Sequence, residues 1–172
     1  IILTDKDYKI LNTLRRYIYD DNNKVLVSQK YPLEIASKYN LDLPTCILNI
    51  GGISNITIIG EKTDTLSLSS RDIGPGNCLI DSWVRKNSDQ NYDKDGILAA
   101  AGKRNEIILE QAQELFSNRP NQNNLSFDTN DFDVSFARGL SLEDGATTLT
   151  DFTARVIGAA LFSLLSKVNN EV

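Results

Sequence analysis

Apolar residues recur with a helical period near the start of the chain and with a strand period in its middle. From Asp5 to Tyr19 they are spaced by three and four residues, which predicts an amphipathic helix. The short run Lys24–Ser28 predicts a strand after it. Only Gly51-Gly52 separates the first two of the main strand predictions, so we predict a β-hairpin whose tight type I′ turn has positive φ at both glycines. The main strands are predicted at Ile47–Ile50, Ile53–Ile59 and Thr65–Ser70.

The pattern after the strands predicts helices. Asn77 occupies a cap position, and the helix after it carries Leu79, Ile80, Trp83 and Val84. Glu106–Ser117 has an apolar stripe typical of an amphipathic helix. The hydroxyl of Thr148, with Asp151 three residues later, predicts the start of the last helix. The apolar face of this last helix is predicted at Phe152, Val156, Ala160 and Leu164.

Two glycine-centred turns within one predicted βα unit define the candidate site. Gly51-Gly52 offers bare backbone N–H groups, and consecutive N–H groups form a concavity that suits an anion such as phosphate. The second turn, Gly74-Pro75-Gly76, precedes the helix that starts at Asn77, so the positive end of that helix points back at it. Asp72 lies at the mouth of this turn, where a carboxylate can orient or deprotonate a nucleophile.

Each of these features also has a purely structural explanation. Gly-Gly between strands is commonly only a turn, and an Asp before Gly-Pro-Gly commonly hydrogen-bonds its own backbone. Taken together, the two turns favour a phosphate or sugar site. Tyr92–Gly96 has the Asp-x-Asp-Gly pattern of a calcium loop, but it lacks the regular oxygen spacing and the carboxylate at the twelfth position. We therefore predict a turn there, in which Asp side chains accept hydrogen bonds from backbone N–H groups.

The composition is typical of a soluble globular protein and excludes several classes of function. A length of 172 residues is enough for one domain or one lobe of a larger one. Of these residues, 41% are apolar and 24% are charged. The net charge of −5 argues against nucleic-acid or acidic-membrane partners. Because there is no histidine, Ser-His-Asp and Cys-His machinery and the usual zinc sites are excluded within this chain. We expect Cys46 and Cys78 to be small buried side chains. Without a recognisable leader or membrane-spanning run, we expect a cytoplasmic protein.

The glycine turns and the segments around them resemble the anhydro-N-acetylmuramic acid kinases of bacterial cell-wall recycling. The similarity extends from about Leu48 to Leu165, with the motifs in the order that the family has them. Together these motifs are specific, although each alone is short. The segments that carry the resemblance are Asn49–Thr57, Asp72–Asn77, Leu79–Trp83, Tyr92–Gly96 and Leu140–Thr150.

The resemblance implies an α/β fragment of the actin-like ATPase (RNase H-like) fold, with a β-hairpin and a mixed sheet flanked by helices. It implies an enzyme that uses ATP and Mg²⁺ to phosphorylate 1,6-anhydro-N-acetylmuramic acid while water opens the anhydro bridge, giving N-acetylmuramic acid 6-phosphate. It makes Asp72 the catalytic base that takes a proton from the attacking water. It makes Gly51 and Gly52, with Asn55 nearby, the second phosphate-binding loop for ATP. The residues it implies on the sugar side are Gly74, Gly76 and Asn77.

The sequence also departs from the family pattern. It has no methionine and no histidine, whereas family members begin with a Gly-x-Met-Ser-Gly-Thr-Ser-x-Asp-Gly phosphate loop and carry a His-Gly-Gln-Thr segment. We therefore expect residues 1–47 to be a divergent helix-strand segment. We expect residues 48–172 to be the central part of the kinase, without the C-terminal lobe that binds adenosine.

These departures leave alternatives to an active kinase. If one of the two lobes of the kinase is missing, we expect weak binding of the nucleotide. Phosphoryl transfer would suffer as well, because it needs both lobes around the phosphates. One alternative is a catalytically inactive remnant that binds sugar or a partner protein. Another is an interaction module whose exposed apolar surface pairs with a second chain. The resemblance suggests a homodimer, predicts no metal ligand in this chain, and leaves Asp93 and Asp95 open between a structural role and a place near the substrate.

Overall fold

The computed structural model describes residues 35–62, 65–119 and 127–168. The chain divides into two compact units, Ile1–Thr45 and Cys46–Val172. In the first unit the described residues include a helical turn at 35–38. The predicted helix Asp5–Tyr19 and the predicted strand Lys24–Ser28 lie outside the described residues. The assignment of residues 1–47 and 48–172 to family segments stays a prediction.

Three strands form one sheet in the order β1-β2-β3. The two-residue connection at Gly51-Gly52 requires β1 and β2 to run antiparallel. β2 and β3 also pair antiparallel, from Ile53 opposite Pro75 to Lys62 opposite Thr65. The predicted hairpin is therefore confirmed, but the described sheet is antiparallel rather than mixed, because its connections are too short for a parallel crossover. The strands are β1 (Thr45–Ile50), β2 (Ile53–Lys62) and β3 (Thr65–Pro75).

β3 contains one extra residue where it passes β2. Ser54 pairs with Gly74, whereas the next residue of β2, Asn55, pairs with Asp72. Ile73 therefore has no residue opposite it, which defines a β-bulge. The bulge lies next to the Gly-Pro-Gly turn, so it controls which side chains reach the candidate site.

The last helix packs on β3 and the other α-helices pack on that helix, so the described part of the chain has an α/β fold. The helices predicted after Asn77 and at Glu106–Ser117 are confirmed. Short 3₁₀ helices occur at Lys94–Gly96, Thr129–Asp131 and Ser135–Ala137. No helix within the described ranges has the length and hydrophobicity needed to span a membrane. The α-helices are α1 (Cys78–Asn87), α2 (Ile97–Ala101), α3 (Glu106–Ser117) and α4 (Leu142–Val168).

The predicted start of the last helix at Thr148 is wrong, because α4 already begins at Leu142. The Ser141 hydroxyl accepts a hydrogen bond from the Asp144 N–H at 3.1 Å and caps the helix. Thr148 lies inside α4, where its hydroxyl donates to the Asp144 carbonyl at 2.7 Å. The same hydroxyl accepts a hydrogen bond at 3.0 Å from the N–H of Asn105, just before α3. Thr148 therefore links two helices instead of starting one.

Two apolar clusters hold these elements together. The larger joins α1, α3 and α4 around Trp83, Leu109 and Phe152, all nearly inaccessible to solvent. The Trp83 indole N–H donates to the Leu142 carbonyl at 2.9 Å and thereby fixes the start of α4. The smaller cluster packs the sheet on α4 and consists of Ile56, Ile73 and Ile157. The end of β3 is therefore held firmly against α4.

Candidate active site

The two glycine segments predicted as turns touch each other, but Gly74 and Pro75 are still part of β3, and only Gly76 and Asn77 form the bend that leads into α1. The N–H groups of Gly76 and Cys78 donate to the Gly52 carbonyl at 2.9 and 3.2 Å. The N–H group of Asn77 donates to the Gly51 carbonyl at 2.7 Å. These three bonds fasten the start of α1 to the bend between β1 and β2. They use the N–H of Cys78, the first residue of α1, and the two N–H groups before it, so the predicted anion site cannot include these three groups.

Gly51 and Gly52 do not form the predicted type I′ turn. Neither glycine has φ in the left-handed region, which among the described glycines occurs at Gly74, Gly96 and Gly139. A methyl group would also fit: a Cβ at Gly51 would lie 3.6 Å from its nearest neighbour, and one at Gly52 would lie 3.4 Å from the Thr129 methyl group. Neither φ nor packing among the described residues explains these two glycines. Close approach of a ligand to the backbone is another reason for a glycine.

Gly74 and Gly76 have packing reasons. A Cβ at Gly76 would lie 2.1 Å from the Gly51 carbonyl oxygen, so a side chain there would force the two turns apart. A Cβ at Gly74 would lie 2.5 Å from Val156 Cγ1 on α4. At both positions the backbone lies closer to its neighbour, Gly51 or Val156, than it could if the residue had a side chain. Their predicted place beside the sugar stays a prediction.

Asn55 and Asp72 lie directly opposite each other on β2 and β3. Residues paired across an antiparallel sheet project to the same face. The hydrogen bond between the hydroxyls of Thr57 and Ser70, at 3.0 Å, shows this at the next position on that face. Asn55 comes three positions after Gly52, which is roughly 10 Å along a strand. A single ligand made of a few linked chemical groups is therefore long enough to reach from Asp72 to the glycine turns.

The Asp72 carboxylate is half-buried and held in place. Its Oδ2 accepts a hydrogen bond from the Phe127 N–H at 2.8 Å. Asp72 also lines a cavity of about 230 Å³ between the end of β3 and the helices α3 and α4. The carboxylate is thus oriented by the protein, and Asp72 borders a space that a small group can enter. It is not enclosed in an apolar interior.

A charged network forms another wall of this cavity. The Arg155 guanidinium donates to the Glu106 carboxylate at 2.7 Å and to the Gln113 amide oxygen at 3.1 Å. It also approaches Asp151 at 3.3 Å. The hydrogen bond from Arg155 lowers the pKa of Glu106, and the nearby charges of Arg155 and Arg104 act in the same direction. The positive charge of Arg155 is therefore matched by neighbouring carboxylates.

Comparison with known proteins identifies the family. A family model described as anhydro-N-acetylmuramic acid kinase matches residues 35–170. The chain belongs to the anhydro-N-acetylmuramic acid kinase family. A relative of that name from Pelagibacter ubique is 47% identical over 137 residues, which are 80% of this chain and 36% of the relative. Relatives of the same name from Zymomonas mobilis and Methylobacterium nodulans are 39% and 42% identical, over 69% and 67% of this chain and 32% and 30% of their own lengths. The chain thus spans about a third of the length of these curated relatives.

All the predicted site residues lie inside the range that matches the anhydro-N-acetylmuramic acid kinase family. The structure brings Gly51 and Gly52 together with Gly76 and Asn77, and it pairs Asn55 with Asp72. Asn77 is the N-cap residue of α1, as predicted, but its side chain makes no capping hydrogen bond and is exposed. The catalytic and binding roles of these residues stay predictions.

Asp93 has a structural role in this family member. Its two carboxylate oxygens accept hydrogen bonds from the N–H groups of Leu98 and Ala99, each at 2.9 Å, at the start of α2. The prediction of a turn held by an Asp side chain is confirmed there. Asp95 is exposed and has φ of 58°. Within the described ranges, no group of three or more acidic, cysteine or histidine residues could hold a metal ion.

Three features near Asp72 were not predicted from the sequence. Phe127 comes after a polar loop without periodicity, so its backbone contact with Asp72 had no sequence signal. Arg155 lies on the polar side of the predicted last helix and reaches the cavity only through the packing of α4. Arg71 had a signal, because it is a charged residue on the same strand face as Ile73.

Cys46 and Cys78 are partly buried, and burial raises the pKa of both thiols.

Proposed function

We propose that this chain provides the catalytic carboxylate and one phosphate-binding turn of an anhydro-N-acetylmuramic acid kinase. The substrates are ATP and 1,6-anhydro-N-acetylmuramic acid, and the product is N-acetylmuramic acid 6-phosphate, formed in peptidoglycan recycling and amino-sugar catabolism. The chain is part of an actin-like ATPase fold in this proposal. The observation that carries it is the pairing of Asp72 with Asn55 on a hairpin whose end is joined to the second glycine turn, all within the range matched to the family.

Asp72 acts as the general base. It accepts a proton from a water molecule whose oxygen bonds to the anomeric carbon, and the bond between that carbon and the bridging oxygen breaks. The released bridging oxygen bonds to the γ-phosphorus of ATP, and the bond from that phosphorus to ADP breaks. The Phe127 N–H supports this role, because a carboxylate fixed by one oxygen keeps its orientation toward the water.

The glycine turns hold the two substrates. Gly51 and Gly52 lie against the phosphates with Asn55 beside them. The Gly51 N–H already donates to the Ile53 carbonyl at 3.3 Å, so these glycines serve by letting the phosphates come close to the backbone, a role that explains glycines that neither φ nor packing requires. Gly74, Gly76 and Asn77 shape the sugar side. The exposed Asn77 amide, which is not used as a cap, is available for a sugar hydroxyl.

Mg²⁺ fits this arrangement without a dedicated protein cage. In kinase sites it is usually held by one or two carboxylates together with substrate phosphates and water. Because Asp72 serves as the base here, the substrate phosphates and water would supply most of the Mg²⁺ ligands at this site. Bound Mg²⁺ would neutralise charge on the phosphates. The cytoplasmic location, the homodimer and the absence of nucleic-acid and membrane partners also stay predictions.

The test is phosphotransfer by the 172-residue protein with ATP, Mg²⁺ and the anhydro sugar, measured by mass spectrometry of the sugar phosphate. Asp72→Asn should lower turnover by at least about 100-fold while sugar binding remains, because the variant keeps the shape but loses the base. The matched control Asp89→Asn lies in an exposed loop and should leave turnover unchanged. Absence of turnover in the wild-type protein, or turnover that survives Asp72→Asn, would contradict the proposal.

A further inference from the structure

Arg71 is a cation on the apolar face of β3. It pairs with Ile56, so its side chain projects to the face that packs on α4 through Ile56, Ile73 and Ile157. The cavity beside Asp72 is lined by Arg71 from the strand and by Ala159, Ala160 and Ser163 from α4. Arg71 thus occupies a position where an apolar residue is expected, and its side chain leads into the cavity.

The Arg71 Nε is buried and has no hydrogen-bond partner among the residues that the structure describes. A buried donor of a charged group without an acceptor is costly, because its hydration is lost and nothing replaces it. Arg155, which lines the same cavity, is different, since its guanidinium is satisfied by Glu106, Asp151 and Gln113. Among the described residues that line this cavity, Arg71 is therefore the cation whose Nε still lacks an acceptor.

We propose that Arg71 binds the carboxylate of the sugar acid and so selects acidic over neutral anhydro sugars at this site. The inference rests on the proposed function and adds a specificity-determining residue to it. A guanidinium matches the two oxygens of a carboxylate with two parallel hydrogen bonds. The carboxylate supplies the acceptor that the buried Nε lacks. It also keeps the sugar next to Asp72, which lines the same cavity.

The size of the cavity favours a carboxylate over a nucleotide. At about 230 Å³ it is smaller than the roughly 300–1,000 Å³ typical of sites that enclose a whole ligand. It accommodates one acidic substituent of a sugar whose ring lies outside. A phosphate group has similar oxygens, so the experiment includes phosphate as a separate probe.

The test compares binding of 1,6-anhydro-N-acetylmuramic acid with that of 1,6-anhydro-N-acetylglucosamine, which lacks the acidic substituent, by calorimetry on the 172-residue protein. The wild-type protein should bind the acid roughly 10- to 100-fold more tightly. Arg71→Met should reduce the affinity for the acid to that for the neutral sugar and leave the neutral sugar unaffected. Arg138→Met, at an exposed residue outside the cavity, should change neither affinity.

Thermal unfolding separates this role from a structural one. Because the Nε has no acceptor, Arg71→Met should keep or raise the melting temperature. A lower melting temperature together with loss of both sugars would overturn the inference. Equal wild-type affinities for the two sugars would overturn it as well, as would competition by inorganic phosphate without discrimination between them. Failure to bind either sugar would contradict the proposed function and this inference with it, whereas binding of both without discrimination contradicts the inference alone.

Discussion

Replacing Gly76 by alanine tests whether the contact between the two glycine turns stabilises the fold. The new Cβ would lie 2.1 Å from the Gly51 carbonyl oxygen, and real Cβ contacts essentially never fall below 3.0 Å. The turns must therefore separate by about 0.9 Å, which lengthens the 2.7 Å hydrogen bond from Asn77 to Gly51 to about 3.6 Å, beyond a hydrogen bond. The two bonds to Gly52 weaken with it. Losing two or three such bonds should cost about 2–4 kcal/mol.

The assay is guanidinium unfolding of Gly76→Ala followed by circular dichroism, with Gly52→Ala as the matched control. The control adds the same methyl group to the other turn, where its nearest neighbour would be the Thr129 methyl at 3.4 Å. Gly52→Ala should therefore change the free energy of unfolding by less than about 1 kcal/mol. If Gly76→Ala unfolds with the wild-type midpoint, or if both variants are equally destabilised, the contact between the two turns does not stabilise the fold.

Two further predictions concern residues away from the turns. Asp93→Ala should lower the free energy of unfolding by about 1–2 kcal/mol in urea, because two N–H groups at the start of α2 lose their acceptors, and a wild-type value would contradict this. The pKa of Glu106 lies below its usual value of 4.5 because Arg155 donates a hydrogen bond to it. A carboxyl group whose pKa is lowered by folding stabilises the fold above its unfolded pKa, and this stabilisation disappears as the pH falls through the folded value. Unfolding measured from about pH 6 to about pH 3 should therefore show a smaller loss of stability in Glu106→Gln than in the wild-type protein, and parallel curves would contradict this.

Local sequence patterns predicted the elements near the site well, because those patterns depend on short-range chemistry. Strand runs on both sides of Gly51-Gly52 predicted the hairpin, and the spacing of apolar residues predicted α1 and α3. The motif around Asp72 predicted which residues come together. Pairing of Asn55 with Asp72 follows from these strands only once the register is known.

The errors arose where tertiary contacts decide the structure. Thr148 has the residues of a cap, but its hydroxyl serves Asn105 on another helix, while Ser141 caps α4. Ser141 also has a carboxylate three residues later, so the same rule applied to every candidate would have found it. The turn type at Gly51-Gly52 was wrong because the carbonyls of this bend accept hydrogen bonds from the start of α1. No pattern within the hairpin contains that information.

The bulge at Ile73 determines from which face of β3 the Asp72 side chain projects. With a regular ladder continued from the pair of Ser54 and Gly74, Asp72 would face Ile56, which is 1% exposed and belongs to the core against α4. The single additional residue turns the carboxylate to the opposite side, next to the amide of Asn55. Deleting Ile73 would give a regular ladder that keeps Asp72 opposite Asn55, so the damage would fall on the core, which would lose one of its three buried isoleucines, and not on the acidic group.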